Sequence, residues 1–311
     1  MPARVVSVHR SRLELLTEAG PTAIEPGATG GFAVGDWLLL EDGALVRRLD
    51  RKSELARKAA GTGIERQLIA SNVDTLFIVT SCNADFNLNR LERYLALAAD
   101  AGSESVILLT KADLAEDAED YVREAEKLAR GQIALPVNAL DPAVTEALAP
   151  WTKPGRTVAL VGSSGVGKTT LMNALTGRHD ATQGIREDDA KGRHTTTHRE
   201  LVGLPGGSWL IDTPGMRELR LTDITDGIAA VFDDVEELAA TCRFRDCAHE
   251  TEPGCAVQAA VAAGDLDPRR VANWQKLKRE DRYNNETIAE ARARNRKFAK
   301  MVKTAVSKKE R

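Results

Sequence analysis

A β-branched, aliphatic run, Thr157–Val161, opens directly into Gly162-Ser163-Ser164-Gly165-Val166-Gly167-Lys168-Thr169, with Thr170 next in line. The pattern GxxxxGK[ST] between a buried strand and a helix constrains the fold more than any other feature of the chain. It demands a parallel sheet strand, a tight loop and a helix whose N-terminus faces the loop. Glycines let backbone N–H groups turn inward around phosphate oxygens. The helix end adds its positive dipole. Lys168 supplies a point charge for the β- and γ-phosphates, and the Thr169 hydroxyl a ligand for Mg²⁺.

The surrounding pattern supplies the rest of such a sheet. Thr75–Thr80, Val106–Leu109, Ile133–Val137 and Ser208–Ile211 are short apolar runs, as strands buried on both faces require. Helical patterns alternate with them at Leu88–Ala101, where Asn87 is a plausible cap, at Asp117–Ala129, and from the loop through Leu175. This alternation predicts a parallel sheet with helices on both faces. The strand Val106–Leu109 ends in Thr110-Lys111-Ala112-Asp113, which resembles the guanine-reading NKxD motif with Thr in place of Asn. A carboxylate at Asp113 accepts hydrogen bonds from the N1–H and 2-amino groups of guanine, and adenine has neither donor, so such a site rejects it. Taken alone, the tetrapeptide also fits a strand end before a capped helix. Asn138-Ala139 resembles a Ser-Ala base-contacting loop.

Trp209-Leu210-Ile211 runs into Asp212-Thr213-Pro214-Gly215. An Asp ending a strand beside the phosphate loop sits where a Mg²⁺-holding carboxylate belongs, and the Gly215 N–H is placed to sense the γ-phosphate. Between loop and strand, Arg178–Glu200 is polar and ends near Gly192-Arg193-His194-Thr195-Thr196-Thr197. It reads as a switch whose Mg²⁺ hydroxyl is Thr196 or Thr197, or as an ordinary polar loop. Met216 occupies the position where many GTPases carry a water-orienting Gln. The base motifs precede the phosphate motifs, the reverse of the usual order, so the chain reads as a circularly permuted P-loop GTPase.

On either side of that domain the chain changes character. Val5–Val8, Leu13–Leu16, Trp37–Leu40 and Ala44–Leu49 read as short strands separated by turn signals, a spacing that fits an OB-type β-barrel. Arg51–Gln67 reads as a linker. Domain boundaries are therefore expected at 1–60, 61–222 and 223–311, the last mostly helical. Of four cysteines, three lie within Cys242–Cys255. Cys242, Cys247, His249 and Cys255, spaced C-x4-C-x-H-x5-C, offer three thiolates and an imidazole, the closed set that structural Zn²⁺ prefers. From Arg269 onward the chain holds 15 Lys+Arg against 5 Asp+Glu, although the whole carries a net charge of only -3. A basic end on an acidic body suits a polyanionic partner, or a solvated helix surface. No apolar run reaches the roughly 20 residues a bilayer span requires.

The combination of an OB-like start, permuted TKAD, GSSGVGKTT, GRHTTT and DTPG, and then CRFRDCAHETEPGC resembles the bacterial RsgA (YjeQ) family of small-subunit-dependent GTPases over nearly the whole chain. The resemblance implies a late assembly factor that binds the 30S subunit and 16S rRNA and leaves on hydrolysing GTP to GDP and phosphate. It also implies GTP/GDP, Mg²⁺ and one structural Zn²⁺ as cofactors. The expected protein is cytoplasmic and monomeric, with no DNA or membrane partner. By the resemblance and by its place in the switch, His194 is a candidate for positioning water, with a contact to partner or backbone as its alternative. Two other classes stand beside this one: an RNA-binding scaffold with a vestigial nucleotide site, and a metabolic P-loop ATPase or kinase. Intact Lys168, Thr169 and Asp212 speak against the first, and Asp113 against the second.

Overall fold

The structure is a computed structural model and describes residues 1–27, 29, 31–58, 66–178, 199–212 and 224–285. The N-terminal region contributes β1 (Pro2–Val8), β2 (Leu13–Thr17), β3 (Gly20–Ile24), β4 (Trp37–Glu41) and β5 (Ala44–Arg48). A hairpin follows, β6 (Glu54–Lys58) and β7 (Arg66–Ser71). The central region runs β8 (Thr75–Ser81), α1 (Leu88–Asp100), β9 (Glu104–Thr110), α2 (Ala118–Glu126), β10 (Ile133–Val137), α3 (Val144–Ala147), β11 (Thr157–Val161), α4 (Lys168–Thr176), β12 (Glu200–Gly203) and β13 (Trp209–Asp212). Helices α5 (Thr225–Val231), α6 (Asp233–Ala240), α7 (Ala256–Ala263) and α8 (Pro268–Asn285) close the described chain.

The central sheet has the order β10-β9-β8-β11-β13-β12. Its strands alternate between two cores because successive side chains point to opposite faces. Leu76 and Ile78 join Leu91, Leu95 and Leu97 of α1, whereas Phe77 and Val79 join Leu171 and Leu175 of α4. Asn87 caps α1 as expected, its side chain accepting from Arg90 N. The sheet is not wholly parallel: β12 pairs antiparallel with β13 at one edge. This four-residue strand escapes a sequence reading because it follows a long polar stretch and buries only Leu201 and Val202.

In the N-terminal sheet the order is β3-β2-β1-β4-β5, all antiparallel, with Ala3, Val5, Leu13, Leu15, Leu38 and Leu40 filling its inner face. This is the connectivity of an OB-type barrel, left open between β3 and β5 among the described residues. The segment expected to be a linker is instead built into the structure as β6 and β7, a two-stranded hairpin. Its inward residues Leu55, Ile69 and Ala70 are fully buried, but the charged residues between them mask the pattern in the sequence. A parallel bridge from Val34 to Ala70 joins the hairpin to the barrel.

The C-terminal helices pack on the same sheet face as α1, with Val231, Phe232, Val235 and Trp274 entering the larger core. A buried charge network crosses that seam. Glu92 of α1 is fully buried and accepts from Arg269, Arg270 and Asn273 of α8. Arg270 uses all five of its N–H groups, on Glu92, both Asp234 oxygens and the carbonyls of Leu128 and Val231. Its guanidinium also lies 4.7 Å from the Phe232 ring centroid.

Candidate functional site

Because β8, β9, β10, β11 and β13 run parallel, the loops at their C-terminal ends open on one edge of the sheet. That edge gathers the ends of four strands: Thr110–Asp113 after β9, Asn138-Ala139 after β10, Gly162–Lys168 after β11, and Asp212 closing β13. Two of these sets lie on one side of β11 and the Asp on the other, so permutation of the chain leaves the spatial order of the sheet coherent.

The phosphate loop leaves a strand whose five residues are all buried. Gly162 has φ +147, and a Cβ there would stand 2.1 Å from Val79 O, so only glycine lets the loop turn over β8. Lys168 donates to Gly162 O at 2.8 Å and also to Ser163 O, which holds its ammonium over the loop. Ser164 and Gly165 are exposed, Val166 is buried beneath them, and Gly167 precedes the first turn of α4. In that turn Thr169 is exposed and Thr170 half-buried. Thr169 carries a hydroxyl and Asp212, closing β13, a carboxylate, and both are hard oxygen donors of the kind Mg²⁺ takes.

The guanine-type loop is physically joined to the phosphate loop. Thr110 is 1% exposed, and its hydroxyl lies 2.6 Å from Val166 O and 3.0 Å from Thr80 O. Lys111, in the left-handed region at φ 57, donates to Gly165 O at 3.0 Å. Thr110 therefore braces the loop rather than facing solvent, a role its residue type alone did not reveal. Beyond it Ala112 is half-buried and Asp113 is exposed on a short 3₁₀ turn. The Asn138 side chain accepts from Leu140 N at 2.9 Å, shaping the neighbouring loop. His194, Thr196, Thr197, Gly215 and Met216 lie outside the described residues.

The second cluster lies between α6 and α7. The ligand atoms of Cys242, Cys247, His249 and Cys255 all fall within 4.8 Å of one another. His249 Nδ1 is 3.5 Å from Cys242 Sγ and 3.6 Å from Cys255 Sγ, and the two sulfurs are 3.9 Å apart. A zinc tetrahedron with Zn–S about 2.3 Å and Zn–N about 2.05 Å has S···N edges of roughly 3.6 Å and S···S edges of roughly 3.8 Å. The donor set is the kind Zn²⁺ takes, and the three edges among Cys242, Cys255 and His249 match that tetrahedron, while the four atoms together spread to 4.8 Å. Its surroundings fix the imidazole. Trp274 lies 5.3 Å from the ring, and Gln258 and Gln275 both donate to His249 O. Glu252, which the sequence did not single out, ties the ligand loop by accepting from Ala248 N, Glu250 N and Thr251 N. These N–H groups, Glu250 foremost, pull its carboxyl down to about 2.

A mostly parallel sheet with a phosphate loop mid-chain, base-type motifs upstream and an antiparallel barrel before them defines a circularly permuted P-loop GTPase, a hydrolase acting on GTP. Comparison with known proteins narrows the class. The RsgA GTPase family profile matches residues 48–222. The small ribosomal subunit biogenesis GTPase RsgA of Mesorhizobium japonicum is 55% identical over 293 residues, covering 91% of this chain and 84% of that protein. RsgA 2 of Vibrio parahaemolyticus is 52% identical over 310 residues, covering 99% and 87%. The crystal structure of YjeQ from Thermotoga maritima superposes with a TM-score of 0.63 at 26% identity, over 89% of this chain and 96% of that one. The chain belongs to the RsgA GTPase family. Among the described residues no helix is long and apolar enough to cross a membrane.

Proposed function

We propose that this protein is a cytoplasmic GTPase of small-subunit assembly that binds the 30S subunit and 16S rRNA, hydrolyses GTP to GDP and phosphate when the subunit prompts it, and then departs. The names of its relatives support the ribosomal partner. The observation that supports the nucleotide reading is the brace from Thr110 and Lys111 to Val166 O and Gly165 O, which joins the Thr110–Asp113 loop to the Gly162–Lys168 loop. In this reading Asp113 reads guanine and Gly162–Thr170 cradle the phosphates, with Ala112, Lys111 and Thr110 shaping the base side. Thr169 and Asp212 hold Mg²⁺, which neutralises charge on the phosphates. Thr196 or Thr197 completes the metal shell, Gly215 contacts the γ-phosphate and His194 positions water. Met216 has no group that orients water, so unaided turnover is slow. Cys242, Cys247, His249 and Cys255 hold one structural Zn²⁺ that folds the loop between α6 and α7. The protein acts as a monomer, with neither DNA nor membrane as partner. The three-part division at 1–60, 61–222 and 223–311 is retained, with the β6–β7 hairpin straddling the first boundary. Competition binding tests the nucleotide assignment. GTP and GDP should displace a fluorescent GDP, ATP should not, and Asp113→Asn should weaken GTP by about a hundredfold. Equal displacement by ATP, or an unchanged GTP affinity in the variant, would remove Asp113 from that role.

A further inference from the structure

The N-terminal barrel and its hairpin touch the β12–β13 ladder at three points along its length. At the lower end Arg4 of β1, 3% exposed, lies between two tryptophans, 5.2 Å from the Trp37 centroid and 5.7 Å from that of Trp209, the first residue of β13. Its guanidinium also donates to Thr157 Oγ1 at 2.6 Å, at the start of the phosphate-loop strand. In the middle, the Gly35 backbone approaches so closely that a Cβ would stand 2.2 Å from Ser71 O and 3.2 Å from Ile211 Cδ1. At the upper end Arg199 donates to Leu68 O of β7 at 3.3 Å. Burial lowers both guanidiniums, Arg4 to about 10, and the Arg57 charge adds to the effect on Arg199.

Arg199 immediately precedes Glu200, and Glu200 pairs directly with Asp212. The hairpin that receives Arg199 is itself fixed to the barrel. Ser71 N donates to Val34 O, and Asp36 accepts from Ser71 Oγ and from Arg51. Register in a strand pair propagates side-chain position to its partner. The Arg199 anchor stands one residue from the Glu200–Asp212 pair and so restrains the strand edge that carries this carboxylate.

We propose that Arg199 is a positioning residue for Mg²⁺: by tying the start of β12 to the Leu68 carbonyl, it holds Asp212 in its metal-binding place and makes the N-terminal barrel part of the Mg²⁺ site's support. This rests on the reading of Asp212 as a Mg²⁺ carboxylate. Because Arg199 acts through β12 and its bond to Leu68 O, its loss affects Mg²⁺ dependence and not nucleotide affinity as such.

The test uses the full-length protein and fluorescent GDP, titrated with Mg²⁺ and also measured in excess EDTA. Arg199→Met keeps the aliphatic stem and removes the donor, Arg199→Lys keeps a donor, and Asp212→Asn reports on the carboxylate itself. Arg199→Met should raise the Mg²⁺ concentration at half-effect by about tenfold, the scale of a lost charge-assisted hydrogen bond. Its GDP affinity in EDTA should stay within about twofold, and Arg199→Lys should recover most of the shift. Amide exchange at Leu201 and Val202 should speed up in Arg199→Met, a readout independent of nucleotide. If Asp212→Asn shifts the Mg²⁺ midpoint and Arg199→Met does not, the inference is overturned. If Asp212→Asn leaves it unmoved, the Mg²⁺ reading falls instead. Equal loss of GDP binding with and without Mg²⁺ in Arg199→Met would reduce Arg199 to a general structural role and also overturn the inference.

Discussion

Replacing Glu92 by Ala is the sharpest probe of how the C-terminal module is joined to the GTPase sheet. The Glu92 side chain has no solvent exposure, and Arg270, its partner at 3.0 Å, is 9% exposed. Removing the carboxylate leaves Arg270 buried with only Asp234 to balance it, while Arg269, 31% exposed, can turn to water. Breaking one partner out of a buried pair costs about 3–5 kcal/mol. The control is Glu119→Ala, whose contact with Arg123 is 3.8 Å between groups 93% and 60% exposed, worth at most about 0.5 kcal/mol. Combining Glu92→Leu with Arg270→Met removes both buried charges and should recover more than half of the loss, because an apolar pair of similar volume needs no desolvation. Urea denaturation is the assay of choice, since an uncharged denaturant does not screen the network. Amide exchange in α1 and α8 then locates the loss. A Glu92→Ala protein within about 1 kcal/mol of the parent would refute the argument, since it would mean the network contributes no more than a surface pair.

Thr110→Val removes the donor that braces the phosphate loop and keeps the shape. GTP and GDP affinity should fall together by about five- to tenfold with GTP-over-ATP preference intact, as calorimetry would report; a changed preference would put Thr110 on the base instead. Metal analysis of purified protein should find about one zinc per chain, and less than about half an equivalent, with four free thiols, would contradict the site. Glu252→Gln should speed zinc transfer to a chromogenic chelator by about tenfold or more, the usual scale for an outer partner of a metal site, and an unchanged rate would contradict that role. The Glu252 carboxyl is depressed from 4.5 to about 2, so its support is full above the higher value and is lost as pH falls toward the lower one. Above about 4.5, where the Glu252 carboxylate is fully ionised, the ratio of the variant's rate to the parent's should therefore not change with pH.

Much of what makes up the two candidate sites is legible in the sequence because each motif carries a local reason. Gly162 must turn over a neighbouring strand, Asp113 must follow a strand end, and four metal donors must sit close in the chain. The strands β8, β9 and β11 are equally plain, since burial on both faces leaves uninterrupted apolar runs. What stays hidden depends on distant partners. Glu92, Arg269 and Arg270 have the composition of a solvated helix face, and only the fold brings them together across 177 and 178 positions. Thr110 looks like a weakened base contact until the loop folds against it. The β6–β7 hairpin is disguised by charged residues between Leu55 and Ile69, and β3 by its opening Gly20-Pro21, two residues that disfavour strands. In the sequence Glu252 is one more acidic residue in a polar loop, because its partners are backbone N–H groups.

The proposed function is that of a GTPase whose turnover the 30S subunit switches on. Single- and multiple-turnover GTP hydrolysis, measured with and without purified 30S subunits, tests this most directly. Slow turnover alone and acceleration by at least about tenfold with 30S, abolished by Lys168→Ala, is the expected result. Rapid turnover without the subunit, or no response to it by a protein that binds GTP, would contradict the account.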